Sequence, residues 1–189
     1  MESIIFEKYA AFEAEVRAYT TRLFLNHCSV CKEVCCKPEY CEESFTSPFL
    51  SRLRQWCVPD AVYDAERGWL TETGCVLPVG RPPVCHQYLC DTLLRLRPEP
   101  DFRYAQTILS NLVNHVGKKA LGRKHIVELQ EASELERINF TRIEKQLGEA
   151  ENAFQLVRTY LKGDVSKLDR VSFLKKICTP PADFCGSFS

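Results

Sequence analysis

Residues 134–162 read ELERINFTRIEKQLGEAENAFQLVRTYLK, and this stretch decides the fold class of the chain. From residue 140 onward its apolar positions alternate by steps of three and four, which is the spacing of one helix face. These positions are Phe140, Ile143, Leu147, Ala150, Phe154, Val157 and Leu161. We expect one continuous helix over 134–162, introduced by a capping box of Ser133 and Glu136.

Two interpretations of this apolar face remain open. It can pack inside a helical bundle formed by the chain itself, or it can form a homodimer or bind a protein partner. The bundle is favoured because the chain supplies other helices, and because Ser133 and Glu136 interrupt the apolar spacing upstream of Phe140.

Three further segments are predicted to be helical. Residues 2–26 carry an apolar stripe, residues 49–57 suit a short amphipathic helix, and another helix is expected from Asp101 with Gly117 as its C-cap. The predicted stripe of the first helix is Ile5, Tyr9, Phe12, Val16, Tyr19 and Leu23, and that of the last is Phe102, Ala105, Leu109, Leu112, Val113 and Val116.

The predicted fold class is therefore mainly α, a helical bundle with a loop-rich, metal-stabilised cysteine segment. We expect an N-terminal helix plus cysteine region over 1–100 and a helical region over 101–189, packed as one globular unit. Residues 58–90 are expected to be irregular, with a small hairpin around Trp69–Leu70 and Cys75–Leu77.

The cysteines carry the strongest chemical signal, since nine of the eleven lie between Cys28 and Cys90. Thiolates spaced two to four residues apart can converge on one soft or borderline metal ion without long loops. The candidate metal ligands are Cys28, Cys31, Cys35, Cys36, Cys41, Cys75, Cys85 and Cys90. Zinc is the expected metal, and a [4Fe–4S] cluster is the alternative.

The adjacent pair Cys35–Cys36 indicates more than one metal ion. Neighbouring side chains point apart, so two adjacent thiolates rarely bind one ion without strain. Eight thiolates then suggest two four-cysteine zinc sites or a compact multinuclear cluster. A single iron–sulfur cluster would use only four of the eight.

Other cysteines and histidines are weaker candidates. His27 and His86 each lie beside a cysteine and are alternative ligands, whereas Cys57 is expected to be a buried thiol. Cys178 and Cys185 flank a Pro–Pro turn and are expected to be packed or free thiols, with a place at the metal site as the alternative.

Three more side chains have open roles. His115 and His125 fall in helical context and are expected to be surface or core residues. Arg81 is either a hydrogen-bond donor to a thiolate sulfur or an exposed loop arginine.

Composition argues against a nucleic-acid-binding protein and against a membrane protein. Lys plus Arg equals Asp plus Glu at 25 each, so the zero net charge argues against a nucleic-acid binder. No stretch approaches the ~20 apolar residues of a membrane helix, and residues 1–8 lack a leader pattern. We expect a cytoplasmic protein, where a reducing environment favours metal ligands over disulfides.

The cysteine pattern resembles the YkgJ-type CxxCxxCC cysteine-cluster family, which is described as a zinc- or iron-chelating domain. Cys28, Cys31, Cys35 and Cys36 match its first element, and Gly74–Pro78 matches its second. The third element is matched by Arg81-Pro82-Pro83-Val84-Cys85 with Cys90. The likeness covers about residues 27–90 and implies metal binding. Some relatives are linked to flagellin lysine N-methylation, which keeps an enzymatic role open.

The residues themselves favour a metal-binding protein whose cluster is structural or handles metal. No glycine-rich nucleotide loop, serine–histidine pair or paired carboxylates stand out, so no catalytic or further cofactor-binding residues are assigned. The alternative is an iron–sulfur protein with methyltransferase-related or redox activity.

Overall fold

A computed structural model describes residues 2–28, 38–72, 74–88, 90, 95, 99–163 and 172–178. The α-helices of these ranges, in chain order, are α1 (Glu2–Cys28), α2 (Glu43–Thr46), α3 (Pro48–Cys57), α4 (Pro83–Gln87), α5 (Pro100–Val116), α6 (Ala132–Leu135) and α7 (Phe140–Leu161). Short 3-10 helices span Pro38–Cys41, Ile126–Glu128 and Ser172–Lys176, and two short strands, β1 (Leu70–Thr71) and β2 (Gly74–Cys75), complete the described elements. The mainly helical fold class is thus confirmed.

The three long helices α1, α5 and α7 pack against one another and enclose the main core. Helix α5 buries all six of its predicted apolar positions and continues to Gly117, as expected. Helix α1 buries Phe12, whose ring meets that of Phe154 on α7 edge-on at 6.3 Å. Burial of these faces supplies most of the stabilisation of a helical fold, because helix propensity alone contributes little.

The apolar face of α7 lies inside this core. Ile143, Leu147, Ala150, Phe154 and Val157 are buried, and the two end positions of the face are partly buried against the same core. The chain's own helices therefore cover the face, as expected for the bundle rather than for a dimer seam.

The prediction of one helix over 134–162 is wrong. The chain forms the single turn α6, leaves helical geometry, and begins α7 at Phe140. Asn139 accounts for the break, because its side-chain oxygen accepts a hydrogen bond from the Arg142 N–H at 2.9 Å and caps α7. Its backbone N–H donates to the carbonyl of Ala120 at 2.8 Å, which ties the break to the segment after α5.

The capping box predicted from Ser133 and Glu136 is also wrong. Ser133 lies inside α6, and the box is formed instead by Glu131 and Glu134. Glu134 additionally binds Lys124 at 2.6 Å, and this hydrogen bond is the main reason that its pKa falls to about 2. The observed capping box therefore begins two residues earlier than predicted, and its first residue is a glutamate rather than a serine.

The cysteine region contacts α1 through Glu13 and Arg17, lies against α3 at Gly80, and packs on α5 through α4. Strands β1 and β2 pair antiparallel with Leu70 opposite Cys75, which confirms the predicted hairpin. Helix α3 spans Pro48–Cys57, close to the predicted 49–57, and Ser47 caps it. A second, smaller hydrophobic cluster forms around the hairpin from Cys41, Trp69 and Leu77.

Within the ranges above, no helix is long and apolar enough to cross a bilayer.

Candidate metal centre

The structure describes the side chains of four of the eight candidate ligands. Cys41 ends the 3-10 helix Pro38–Cys41, Cys75 lies in β2, Cys85 lies in α4, and Cys90 follows that helix. The other half lies outside the described side chains: Cys28 is the last residue of α1, and Cys31, Cys35 and Cys36 fall in the gap before residue 38.

Cys41 and Cys75, which come from the two separate parts of the set, lie together in the smaller hydrophobic cluster. Cys41 is buried there, and Cys75 is partly buried against it. Burial is the largest effect on the Cys41 thiol and raises its pKa, and a negative charge on Cys75 would raise the pKa further. The backbone N–H of Trp69 and the charge of Arg81 act in the opposite direction.

The absence of a side chain at Gly68 leaves room for the sulfur of Cys41. Its φ of +64° is in the left-handed region that favours glycine, and a Cβ at this position would lie 2.9 Å from Cys41 Sγ. The hydroxyl of Ser44 links Cys41 to Trp69. It donates a hydrogen bond to the Cys41 carbonyl and accepts one from Trp69 Nε1 at 2.8 Å.

A buried carboxylate holds the segment between Cys75 and Cys85. Glu13 on α1 has no exposed surface. It accepts hydrogen bonds from the backbone N–H of Gly80 at 2.8 Å and of Arg81 at 3.0 Å, and it contacts His86 Nε2 at 3.0 Å. One side chain thereby fixes both the loop after β2 and the helix that carries Cys85.

His86 has a different role from the one considered in the sequence. Its Nε2 is engaged by Glu13, and its side chain is 7 % exposed. The structure thus uses His86 to dock α4 on α1.

Two arginines meet at the carbonyl of Cys75. Arg17 on α1 donates from Nη2 at 3.3 Å and Arg81 donates from Nη2 at 3.4 Å, while Arg81 Nε also donates to the Leu77 carbonyl at 2.8 Å. The described donors of Arg81 thus reach backbone carbonyl oxygens rather than sulfur. Burial lowers the pKa of Arg17, and the adjacent positive charge of Arg81 lowers it further.

The sequence did not predict the roles of Glu13 and Arg17 in the cysteine region, although the position of Glu13 indicated a buried charge. It lies four residues after Tyr9 and three before Val16, and so falls on the buried stripe of the first helix. A charged residue in such a stripe requires buried partners. Nothing in the spacing shows that these partners are the loop amides sixty-odd residues later in the chain.

The remaining candidates lie elsewhere or outside the described part. Cys57 and Cys178 are partly buried against the main core, where burial raises the pKa of Cys178 to about 11 and also raises that of Cys57. His115 and His125 are both buried, and Cys185 and the side chain of His27 are not described. Among the residues with described side chains, no group of three or more His, Cys, Asp or Glu is arranged to hold a metal ion.

Comparisons with protein-family models, with curated proteins and with solved structures found no match for this chain.

Proposed function

We propose that the protein binds zinc, as two or more ions, through the thiolates of Cys28, Cys31, Cys35, Cys36, Cys41, Cys75, Cys85 and Cys90, in a structural or metal-handling role. The observation that supports this most directly is the joint placement of Cys41 and Cys75 in one small cluster. Two cysteine groups that are far apart in sequence can share a metal only if the fold brings them together.

The surroundings of the two sulfurs fit a metal–thiolate centre. Four thiolates around one zinc ion give a net charge of about −2, so nearby cations and N–H donors stabilise the assembly. Arg17 and Arg81 provide such cations at Cys75, and the backbone N–H of Trp69 faces Cys41. The bound zinc would supply a fixed tetrahedral link between the two cysteine groups.

The smaller cluster has far fewer buried residues than the main core, although Val58, Ala61 and Tyr63 also pack against it. Its fully buried members are Cys41, Trp69 and Leu77. Structural zinc sites contribute an apparent ~10–16 kcal/mol of binding free energy, which couples directly to folding. Zinc would therefore stabilise the cysteine region, whereas the main core of α1, α5 and α7 holds the rest of the fold.

Removal of metal tests this proposal. The chain has two tryptophans, and Trp56 is 57 % exposed whereas Trp69 packs beside Cys41. In a Trp56→Phe variant, emission therefore reports on Trp69 alone. We expect a chelator to shift this emission to longer wavelength and to expose the cysteine region to protease, while most of the helical circular dichroism remains. Unchanged emission and proteolysis after complete metal removal would count against a structural metal.

A further inference from the structure

A small surface pocket lies between the N-terminal part of α1 and the outer face of α3. It has a volume of about 170 Å³ and is lined by Phe6 and Glu7 of α1 and by Arg52 and Trp56 of α3. Phe6 is the most buried of the four, at 6 % exposure, and its ring packs on that of Phe49 at 4.8 Å. The guanidinium of Arg52 lies 4.7 Å from the centroid of the Phe6 ring. The fold thus leaves an aromatic surface open beside two opposite charges.

Trp56 makes this pocket the centre of an apolar surface. Its side chain is 57 % exposed, although an indole ring is among the largest apolar groups that a chain can bury. Ile4 lies three residues before Glu7 on the same helix face, and its 52 % exposure extends the apolar rim of the pocket. Among the described residues of 99–178, no large hydrophobic side chain is exposed. The exposed apolar surface of the described chain is therefore concentrated in its first half, which is typical of an interaction site.

The charges of the pocket select the kind of partner. A partner surface of one charge sign would meet either Glu7 or Arg52 as a like charge, which is unfavourable in an interface. A second copy of this chain meets both as opposite charges, because a two-fold axis places Glu7 of one copy against Arg52 of the partner subunit and repeats the pair. The formal net charge of zero also adds no long-range repulsion between two copies.

We propose that this pocket is the centre of a symmetric homodimer interface. Trp56 of each copy enters the pocket beside Phe6 of the partner subunit, and Glu7 pairs with Arg52 of the partner subunit. Exposed tryptophan and arginine are among the side chains that contribute most to protein interfaces. The pocket contains none of the eight candidate zinc ligands, so the interface does not rest on the proposed metal binding. It also differs from the apolar face of α7, which the chain's own core covers.

Sedimentation velocity of the full chain over a range of concentrations tests this interface. Trp56→Ala removes the apolar anchor, whereas Glu7→Arg and Arg52→Glu each reverse one charge of the pair. Either reversal alone brings like charges together twice in a dimer, but an equimolar mixture of the two variants forms a mixed dimer with two opposite-charge pairs. Glu151→Arg is the matched control, because it reverses an exposed charge on α7 outside the pocket. Circular dichroism of each variant verifies that the main core is folded.

We expect the wild type and Glu151→Arg to dimerise with the same dissociation constant, and Trp56→Ala to raise that constant about tenfold or more. Where the wild type is dimeric, each charge reversal alone should sediment as a monomer, and the mixture should restore the dimer. A dimer that survives all three substitutions, or a mixture that stays monomeric, would overturn the inference. A monomeric wild type would overturn it as well, and if that monomer bound phosphatidylserine vesicles through Trp56, the pocket would be assigned to a membrane instead.

Discussion

Glu13 Oε1 lies 3.0 Å from His86 Nε2, so a carboxylate without exposed surface on the first helix anchors the short helix that carries Cys85. The same carboxylate accepts the backbone amides of Gly80 and Arg81. These contacts make the inner face of α1 part of the cysteine region, although α1 belongs to the main helical core.

Glu13→Gln should therefore destabilise the protein. The change removes the charged acceptor of two backbone amides and leaves buried donors without full compensation, which we expect to cost about 2 kcal/mol in the free energy of unfolding. Glu15→Gln is the control, because Glu15 is 51 % exposed and its ion pair with Arg158 lies at the surface. That pair should be worth less than about 1 kcal/mol. Equal effects of the two variants in urea denaturation would contradict the anchoring role of Glu13.

The environment of Cys41 can be tested with two glycines that share one backbone conformation. Gly68 has a φ of +64° and Gly122 a φ of +61°, so alanine meets the same backbone strain at both. Only at Gly68 would the new Cβ approach Cys41 Sγ, at 2.9 Å, since no such neighbour lies within 4 Å of Gly122. We expect Gly68→Ala to lower the zinc affinity on the order of tenfold and Gly122→Ala to leave it unchanged. Similar zinc affinities for the two variants would show that the position of the Cys41 sulfur does not matter.

A second pair of glycines tests the main core. A Cβ on Gly117 would clash with Cε1 of the buried His125, whereas Gly148 within α7 has open space around it. Gly148→Ala should stabilise the protein by about 0.5–1 kcal/mol, because alanine is favoured over glycine in a helix. Gly117→Ala should destabilise it by about 1–3 kcal/mol through overpacking. Thermal unfolding of both variants measures these opposite changes in stability. A stabilised Gly117→Ala variant would contradict the close packing of His125 against Gly117.

Because His125 is buried, we expect it to make the free energy of unfolding depend on pH. Burial lowers its pKa, and the neutral ring fits its partners: Nε2 lies 2.9 Å from the Asn114 carbonyl, and Nδ1 accepts from the Val127 N–H at 3.3 Å. Because the folded pKa is below the unfolded value of about 6.5, the unfolded chain binds the proton first. This contribution to stability is complete above about pH 6.5 and is lost as the pH falls below it.

Urea denaturation of wild type and His125→Gln at matched zinc concentration measures this contribution. We expect the difference in stability between the two proteins to shrink as the pH is lowered from 8 to 5. A difference that stays constant over this range would show that His125 is not held in its neutral form. The lowered pKa of His115 affects both proteins alike and so cancels from the comparison.

The sequence predicted what depends on local periodicity. The faces of α1, α5 and α7 follow apolar spacing, and the hairpin at Leu70 and Cys75 lies where the sequence placed it. The break before α7 was not predicted, because it depends on Asn139 bonding to Ala120, a contact between segments distant in sequence. The same reason explains why the partners of Glu13 and Arg17 were not found. Spacing shows which residues share a helix face, but it does not show which distant loop packs against that face.

The ligand set itself remains a prediction for all eight of its members. The structure places Cys41 and Cys75 in one small hydrophobic cluster, and Cys31, Cys35 and Cys36 lie outside the described residues. A chemical measurement of bound metal covers all eight cysteines at once.

Elemental analysis of the full chain, purified without oxygen, is the most direct test of the proposed zinc centre. Eight thiolates at four per ion predict about two zinc ions per chain and a colourless protein. Cys75→Ser should lower the zinc content, whereas Cys57→Ser, which changes a cysteine packed on the main core, should retain it. A wild-type protein without bound metal, or a brown protein containing iron and sulfide, would contradict zinc binding by this cysteine set.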